Sequence, residues 1–215
     1  MNNTLLFSML LLGGLAARGL AQDGGPSTFD FEAAALGPLP ESLVLTDAES
    51  KFAIAADGDN HVLEMSPAPL VDGGVLVGVS LKGGAEVRAR IRATGKRRSF
   101  PRFGVGLHGV GGFRCLVVPS RKELHLVRNE EVVAQVPYLW KSGSWTVVEF
   151  KVVASASGGS VLEARAWEEG QPRPEVAQLK HEEAAPPGTG KASLWAAPYA
   201  ELPIAFDDVV VTPRP

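Results

Sequence analysis

Residues 86–108 read EVRARIRATGKRRSFPRFGVGLH, and their alternation of apolar and polar side chains is typical of β-strands with one buried face. From Val87 to Ile91 every second residue is apolar, and arginines stand between and after them. The pattern resumes at Arg102 and continues to His108. Seven Lys or Arg residues lie from Arg88 to Arg102, with no acidic residue among them. The alternation divides this basic cluster into the outward row of one strand and a solvated turn at 96–98.

The rest of the chain repeats this strand pattern. More than ten short alternating segments are separated by Gly, Pro, Asn and Asp, and turns such as DGDN (57–60) and SGGS (157–160) suit hairpins. The best helical candidate, 175–184, is short and stops before a Pro-Pro pair. The sequence therefore predicts an all-β fold, an antiparallel two-sheet β-sandwich, formed by a single domain over residues 22–215.

The first 21 residues have the pattern of an export signal. An apolar run from Leu5 to Ala17 precedes Gly19-Leu20-Ala21, which puts small residues at the −3 and −1 positions of a cleavage site. This run is too short to span a bilayer as a helix. We expect a signal peptide at 1–21, an exported protein in the periplasm or outside the cell, and no membrane span after cleavage. A leader retained as an anchor is the alternative.

Overall charge and cysteine usage exclude two further classes. The net charge is −3, so the basic cluster is local, whereas nucleic-acid-binding domains are usually basic as a whole. We expect no nucleic-acid partner. Cys115 is the single cysteine and takes an inward position in the strand-like segment GFRCLVV. We therefore expect a buried thiol and no internal disulfide.

Several motifs follow one another in an order that is typical of a known fold. FDFE (29–32) and GPLP (37–40) come first, a Gly-rich strand and W-x-x-x-x-W (140–145) lie in the middle, and GKASLW (190–195) precedes FDD near the end. This order resembles the concanavalin A-like (laminin G/glucanase-like) jelly-roll domains, including the 3-keto-disaccharide hydrolase-like domains of exported bacterial proteins. The resemblance implies a jelly-roll sandwich. It leaves the function open between lectin, glycan-binding module, glycosidase and spacer domain.

The resemblance also implies a structural calcium ion. Jelly-roll sugar-binding modules of this kind often tie their first and last strands with Ca²⁺, which here would use Glu32 together with Asp207 or Asp208. Calcium takes about six to eight oxygen ligands, so backbone carbonyls would complete the set. The alternative is that the two aspartates end a strand and cap a loop without a metal.

Arginines and aromatic rings are the candidate ligand-binding residues. A guanidinium group binds carboxylate or sulfate through two hydrogen bonds, and an aromatic ring packs against the apolar face of a sugar. We therefore predict that the polar face of one sheet binds an oligosaccharide or polysaccharide, with an anionic one among the possibilities. The candidates are Arg88, Arg90, Arg92, Arg102, His108, Trp140, Trp167 and Tyr199. Trp145 and Trp195 lie in segments that look like core strands, so we expect both to serve packing.

An enzymatic function lacks its usual motif. Glycosidases place two carboxylates beside the scissile bond, and the E-x-D-x-E strand motif of laminarinases is absent from this sequence. Glu149 and Glu163 could pair across a hairpin, but a cross-strand charge ladder with Lys151 and Arg165 is the favoured interpretation. The sequence favours an exported non-catalytic carbohydrate-binding module. The alternatives are a glycoside hydrolase-like enzyme of the 3-keto-disaccharide type and a structural domain of the cell envelope with no small ligand.

Overall fold

The structure is a computed structural model that describes residues 25–214, so the predicted signal peptide lies outside the described residues. Residues 25–214 form sixteen β-strands and contain no helix that could cross a membrane. Nine of these strands form one sheet, called here the large sheet: β1 (Ser27–Phe29), β2 (Gly37–Pro38), β4 (Phe52–Asp57), β5 (Asn60–Met65), β7 (Ala85–Arg92), β12 (Trp145–Ala154), β13 (Ser160–Glu168), β14 (Leu179–Glu183) and β16 (Ile204–Pro213). The other seven form the small sheet: β3 (Val44–Leu45), β6 (Gly73–Lys82), β8 (Arg102–Leu107), β9 (Phe113–Val118), β10 (Glu123–Arg128), β11 (Glu131–Pro137) and β15 (Thr189–Ala197).

Strand order shows how the chain passes between the sheets. The large sheet runs β14-β13-β12-β7-β16-β5-β4-β2, with β1 also paired to β16, and the small sheet runs β11-β10-β9-β8-β15-β6-β3. Hydrogen-bonded neighbours in the two sheets are antiparallel. The chain changes sheet eight times between β1 and β16, and one of these crossings lies between β7 and β8. This architecture confirms the predicted all-β, antiparallel two-sheet sandwich.

The core lies between the two sheets and contains the residues that the alternation placed inward. Val87 and Ile91 of the large sheet and Phe103 and Val105 of the small sheet are fully buried in one hydrophobic cluster. Removing such a side chain from water stabilises the fold by about 1.5–3 kcal/mol. Cys115 is buried among them, which raises the pKa of its thiol above the ordinary value and confirms the expected buried cysteine.

Two predicted turns lie where expected, whereas the helical candidate contains a strand. The DGDN segment joins β4 to β5, and the SGGS segment joins β12 to β13. The helical candidate 175–184 instead forms a connection followed by the edge strand β14. Its apolar Leu179 is buried against the core while Lys180 points outward, which is the two-residue period of a strand.

Candidate functional site

The predicted arginine face does not exist as one surface. Arg88, Arg90 and Arg92 lie on β7 of the large sheet, whereas Arg102 begins β8 of the small sheet. Because each strand buries its apolar side between the sheets, the outward residues of the two strands point away from each other. The prediction that these four arginines share a face is therefore wrong.

The arginines of the large sheet are mostly neutralised by acidic neighbours. Arg90 binds Glu169 at 2.9 Å and Asp208 at 2.8 Å, and Arg92 binds Asp57 at 2.8 Å. Their guanidinium carbons lie 4.6 and 4.8 Å from the centre of the Trp145 ring. Trp145 therefore packs beneath these two arginines on the outer face of the large sheet and not between the sheets. Arg88 is exposed and takes part in none of the ion pairs among residues 25–214.

The same outer face carries the expected charge ladder. Glu149 binds Arg165 at 3.0 Å and Lys151 lies 3.5 Å from Glu163, which confirms the favoured interpretation of these residues. Glu149 also accepts a 2.9 Å hydrogen bond from Arg173, which belongs to the connection between β13 and β14. Burial raises the pKa of Glu149, but its hydrogen bonds and charge interactions with Arg173 and Arg165 hold that pKa below its ordinary value. Each of the two carboxylates thus already has a cationic partner.

The outer face of the small sheet has a floor of very small residues around one tryptophan. Trp195 of β15 has Gly74 and Gly104 as its direct neighbours on the flanking strands. Its indole Nε1 donates a 2.8 Å hydrogen bond to Ser193 Oγ, and a Cβ added to Gly106 would lie 3.1 Å from that same nitrogen. The glycines therefore leave the space that the indole occupies on the outer face. Trp195 is buried there in a small second apolar cluster, which confirms the expected packing role but places it outside the space between the sheets.

Arg114 covers this indole. It projects from β9 opposite Gly106, and its guanidinium carbon lies 4.4 Å from the centre of the Trp195 ring. The guanidinium forms an ion pair with Glu130 in the β10–β11 turn, yet the Arg114 side chain is only 5% exposed. Its buried Nε has no hydrogen-bond partner among the described residues. Cation–π contacts of this kind gain strength when the cation is removed from water.

Acidic side chains complete a cleft above this floor. Asp72, just before β6, forms an ion pair with Arg102. Burial raises the pKa of Asp72, and the charges of Arg102 and Arg114 only partly oppose that rise. The cleft has a volume of about 300 Å³ and is bordered by the following residues: Thr46, Asp47, Asp72, Val110, Arg114, Glu130 and Trp195. Acceptors, donors and an aromatic group thus meet in one accessible hollow.

Of the eight sequence-predicted ligand residues, two lie beside this cleft. Arg102 forms an ion pair with Asp72 of the cleft. The ring of the half-exposed Tyr199 lies 6.0 Å from the Arg102 guanidinium carbon. Trp167 lies on the outer face of the large sheet with the β7 arginines. Trp140 packs edge-on against the core residue Phe103, with ring centres 5.9 Å apart.

His108 lies elsewhere, at one end of the sandwich. It follows β8 with a left-handed φ of 67°, and its Nε2 is 2.9 Å from the carbonyl oxygen of Gly83. Burial lowers the pKa of this imidazole, partly opposed by the Gly83 contact. His108 borders a separate crevice near the segment 185–189 and does not reach the cleft.

The residues named for calcium are held by protein groups. Glu32 accepts a 3.2 Å hydrogen bond from the backbone of His61, and Asp207 accepts one of 2.9 Å from the Asn60 amide. Asp208 occupies a bulge in β16, with φ of 46°, and binds Arg90. Among residues 25–214 no group of three or more His, Cys, Asp or Glu side chains is arranged to hold a metal. The calcium site stays a prediction.

The cleft residues Asp72, Arg114, Glu130 and Trp195 were not predicted from sequence. One sequence feature could have pointed to this site: Arg114 is the single charged residue of an otherwise apolar strand, FRCLVV. An outward arginine that is followed on the same face by the apolar Leu116 and Val118 indicates a face that is itself partly covered.

Known structures share this architecture. No protein-family model matches the chain, and no curated protein sequence matches it either. The carbohydrate-binding module CBM66 from Bacillus subtilis superposes with a TM-score of 0.56 and 10% identity, over 80% of this chain and 95% of the module. The cellulose-induced protein Cip1 gives 0.57 and 14% over 86% and 96%, and lectin II from Ulex europaeus gives 0.53 and 9% over 86% and 97%. At these identities the likeness concerns the fold alone: this chain has the concanavalin A-like jelly-roll fold.

Proposed function

We propose that this protein is a carbohydrate-binding module whose site is the cleft on the outer face of the small sheet. The observation that carries the proposal is the Arg114–Trp195 stack with Asp72, Asp47 and Glu130 around it. The structural neighbours support it, since they include a carbohydrate-binding module and a lectin on the same fold.

The chemistry of the cleft suits sugar hydroxyl groups. Carboxylate oxygens accept hydrogen bonds from hydroxyls, and guanidinium nitrogens donate to them. A volume of about 300 Å³ lies at the lower end of the range for small-molecule sites. We therefore expect recognition of one or a few sugar units of a chain.

A non-catalytic role and export belong to the same proposal. The carboxylates at the cleft already have partners: Asp72 has Arg102, Glu130 has Arg114, and Asp47 accepts hydrogen bonds from Ser50. Such pairing favours binding over proton transfer, for which an acid and a base must stand free beside the scissile bond. The leader pattern of residues 1–21 supports export.

A glycan array followed by calorimetric titration of the hits tests the proposal. We expect Asp72→Asn to weaken binding about tenfold or more. The substitution removes the carboxylate that orients Arg102 and that would accept a hydrogen bond from a ligand hydroxyl. Arg88→Ala, on the outer face of the large sheet, is the matched control and should change the affinity less than twofold. If Arg88→Ala abolishes binding and Asp72→Asn does not, the site lies on the other sheet. If no neutral or acidic glycan binds, the proposed function is wrong.

A further inference from the structure

The Arg114 guanidinium uses only part of its binding edge. Its Nη2 donates to Glu130, while the adjacent Nε is buried and has no partner among the described residues. A carboxylate normally engages two neighbouring guanidinium nitrogens at once, in a planar fork. A buried donor without an acceptor is unfavourable. The Nε–Nη2 edge of Arg114 is therefore half filled, at the floor of the cleft.

The group that half fills it is easily exchanged. Glu130 lies at the tip of the β10–β11 turn, where Asn129 and Glu130 have left-handed φ angles of 47° and 64°. Its side chain is 73% exposed, in contrast to the buried arginine that it contacts. An exposed carboxylate that leaves an ion pair regains its hydration. The buried guanidinium still requires an anion, so Glu130 can be exchanged at little cost for another carboxylate but not for a neutral group.

We propose that the occupant of the cleft is an acidic sugar, a uronic acid unit of a glycan, whose carboxylate takes the Nε–Nη2 edge of Arg114 in place of Glu130. This inference rests on the proposed carbohydrate-binding function. Glu130 then serves as a placeholder that pairs the buried charge while the cleft is empty. A neutral sugar has no group that would replace Glu130, whereas a uronate replaces one negative charge with another and also satisfies Nε.

Calorimetric titration with two sets of probes tests the exchange. The acidic probes are oligomers of galacturonic and glucuronic acid, and the neutral probes are galactose and glucose oligomers of the same length. We expect Glu130→Gln to raise the affinity for a uronide about two- to fivefold, because the competing carboxylate is removed. Glu131→Gln makes the same charge change at the next residue and should leave the affinity nearly unchanged. Arg114→Lys keeps the charge but loses the fork, and should weaken uronide binding about tenfold.

The outcomes separate this inference from the function on which it rests. Neutral oligomers that bind as tightly as uronides, with no response to Glu130→Gln, would overturn the acidic-sugar inference and leave carbohydrate binding intact. An equal response to Glu130→Gln and Glu131→Gln would show general electrostatic attraction in place of exchange at Arg114, and would also overturn it. If neither set of probes binds, both proposals are wrong.

Discussion

Asp72 is the residue whose ionisation most affects the proposed site. It holds Arg102 on one side of the cleft and is close enough to Arg114 for that charge to influence its pKa. Burial nevertheless raises the pKa of Asp72 above its ordinary value. This carboxyl group should therefore gain its proton at a higher pH than an exposed aspartic acid, whose pKa is about 3.9.

The affinity for glycan should follow that titration. Asp72 is ionised above its pKa, so the affinity for glycan is highest at neutral pH. It falls as the pH decreases through the raised pKa. The loss should begin at a higher pH than the protonation of an ordinary aspartic acid or of a uronate ligand. Titrations between about pH 4 and pH 7 measure it, with Asp72→Asn as the control whose weaker affinity should stay flat until the ligand itself protonates. A wild-type curve parallel to that of Asp72→Asn would contradict this role.

Two strands show where sequence patterns succeed and where they fail. In β8, RFGVGL, apolar and small residues alternate, and the predicted inward residues Phe103, Val105 and Leu107 all belong to the main core cluster. In β15, apolar residues occupy both faces around Trp195, so the alternation gives no direction. On the outer face there, Trp195 packs with Leu116, Val118 and Val127 in a second apolar cluster. A pattern of period two cannot distinguish this cluster from the core.

The two glycines of β8, Gly104 and Gly106, should differ in how much stability is lost when each is replaced by alanine. A Cβ at Gly104 would lie 1.9 Å from the backbone oxygen of Cys115, which is fixed by the β8–β9 pairing. At Gly106 the nearest atom is the side-chain Oγ of Ser193 at 2.6 Å, and the nearest backbone atom, the oxygen of Phe113, is 3.1 Å away. Rotation of the Ser193 hydroxyl would relieve the closest contact. We expect Gly104→Ala to lower the free energy of unfolding by about 3 kcal/mol. Gly106→Ala should cost about 1 kcal/mol through the lost Trp195–Ser193 hydrogen bond and should also weaken glycan binding.

Urea denaturation of the two variants measures the difference. Equal destabilisation by both substitutions would mean that Ser193 cannot rotate and that the indole is held more rigidly than its contacts indicate. A Gly106→Ala variant with unchanged glycan affinity would contradict the position of Trp195 at the floor of the site.

At the scale of the whole molecule, the sequence predicts the fold class and the inward residues but not which strands share a sheet. Arg92 and Arg102 are ten residues apart in the chain, yet they lie in different sheets because the segment between them crosses the sandwich. The cleft likewise joins Asp72, Arg114 and Trp195 from three strand regions that are far apart in sequence. Such juxtapositions follow from non-local pairing, which local alternation does not encode.

The outer face of the large sheet has a different use for its arginines, which is to fasten a connection. Arg165 donates a 3.1 Å hydrogen bond to the Pro174 carbonyl and another hydrogen bond to Glu149. Arg173, from the same connection as Pro174, binds the second oxygen of Glu149. Glu149 is 3% exposed and thus links the β13–β14 connection to the sheet at a buried point.

Glu149→Gln should therefore destabilise the fold at neutral pH without affecting the cleft. The change leaves Arg165 and Arg173 without their shared anion, and we expect a loss of about 2–3 kcal/mol in the free energy of unfolding. Because the pKa of Glu149 is lower in the folded state, its stabilising contribution is complete above the unfolded value of about 4.3 and disappears as the pH falls through the folded pKa. The difference between wild type and variant, measured by urea denaturation, should be constant near pH 7 and shrink toward pH 3. Glycan affinity should not change, since Glu149 and the cleft lie on opposite sheets; a variant that loses binding while remaining folded would show that the two faces are coupled.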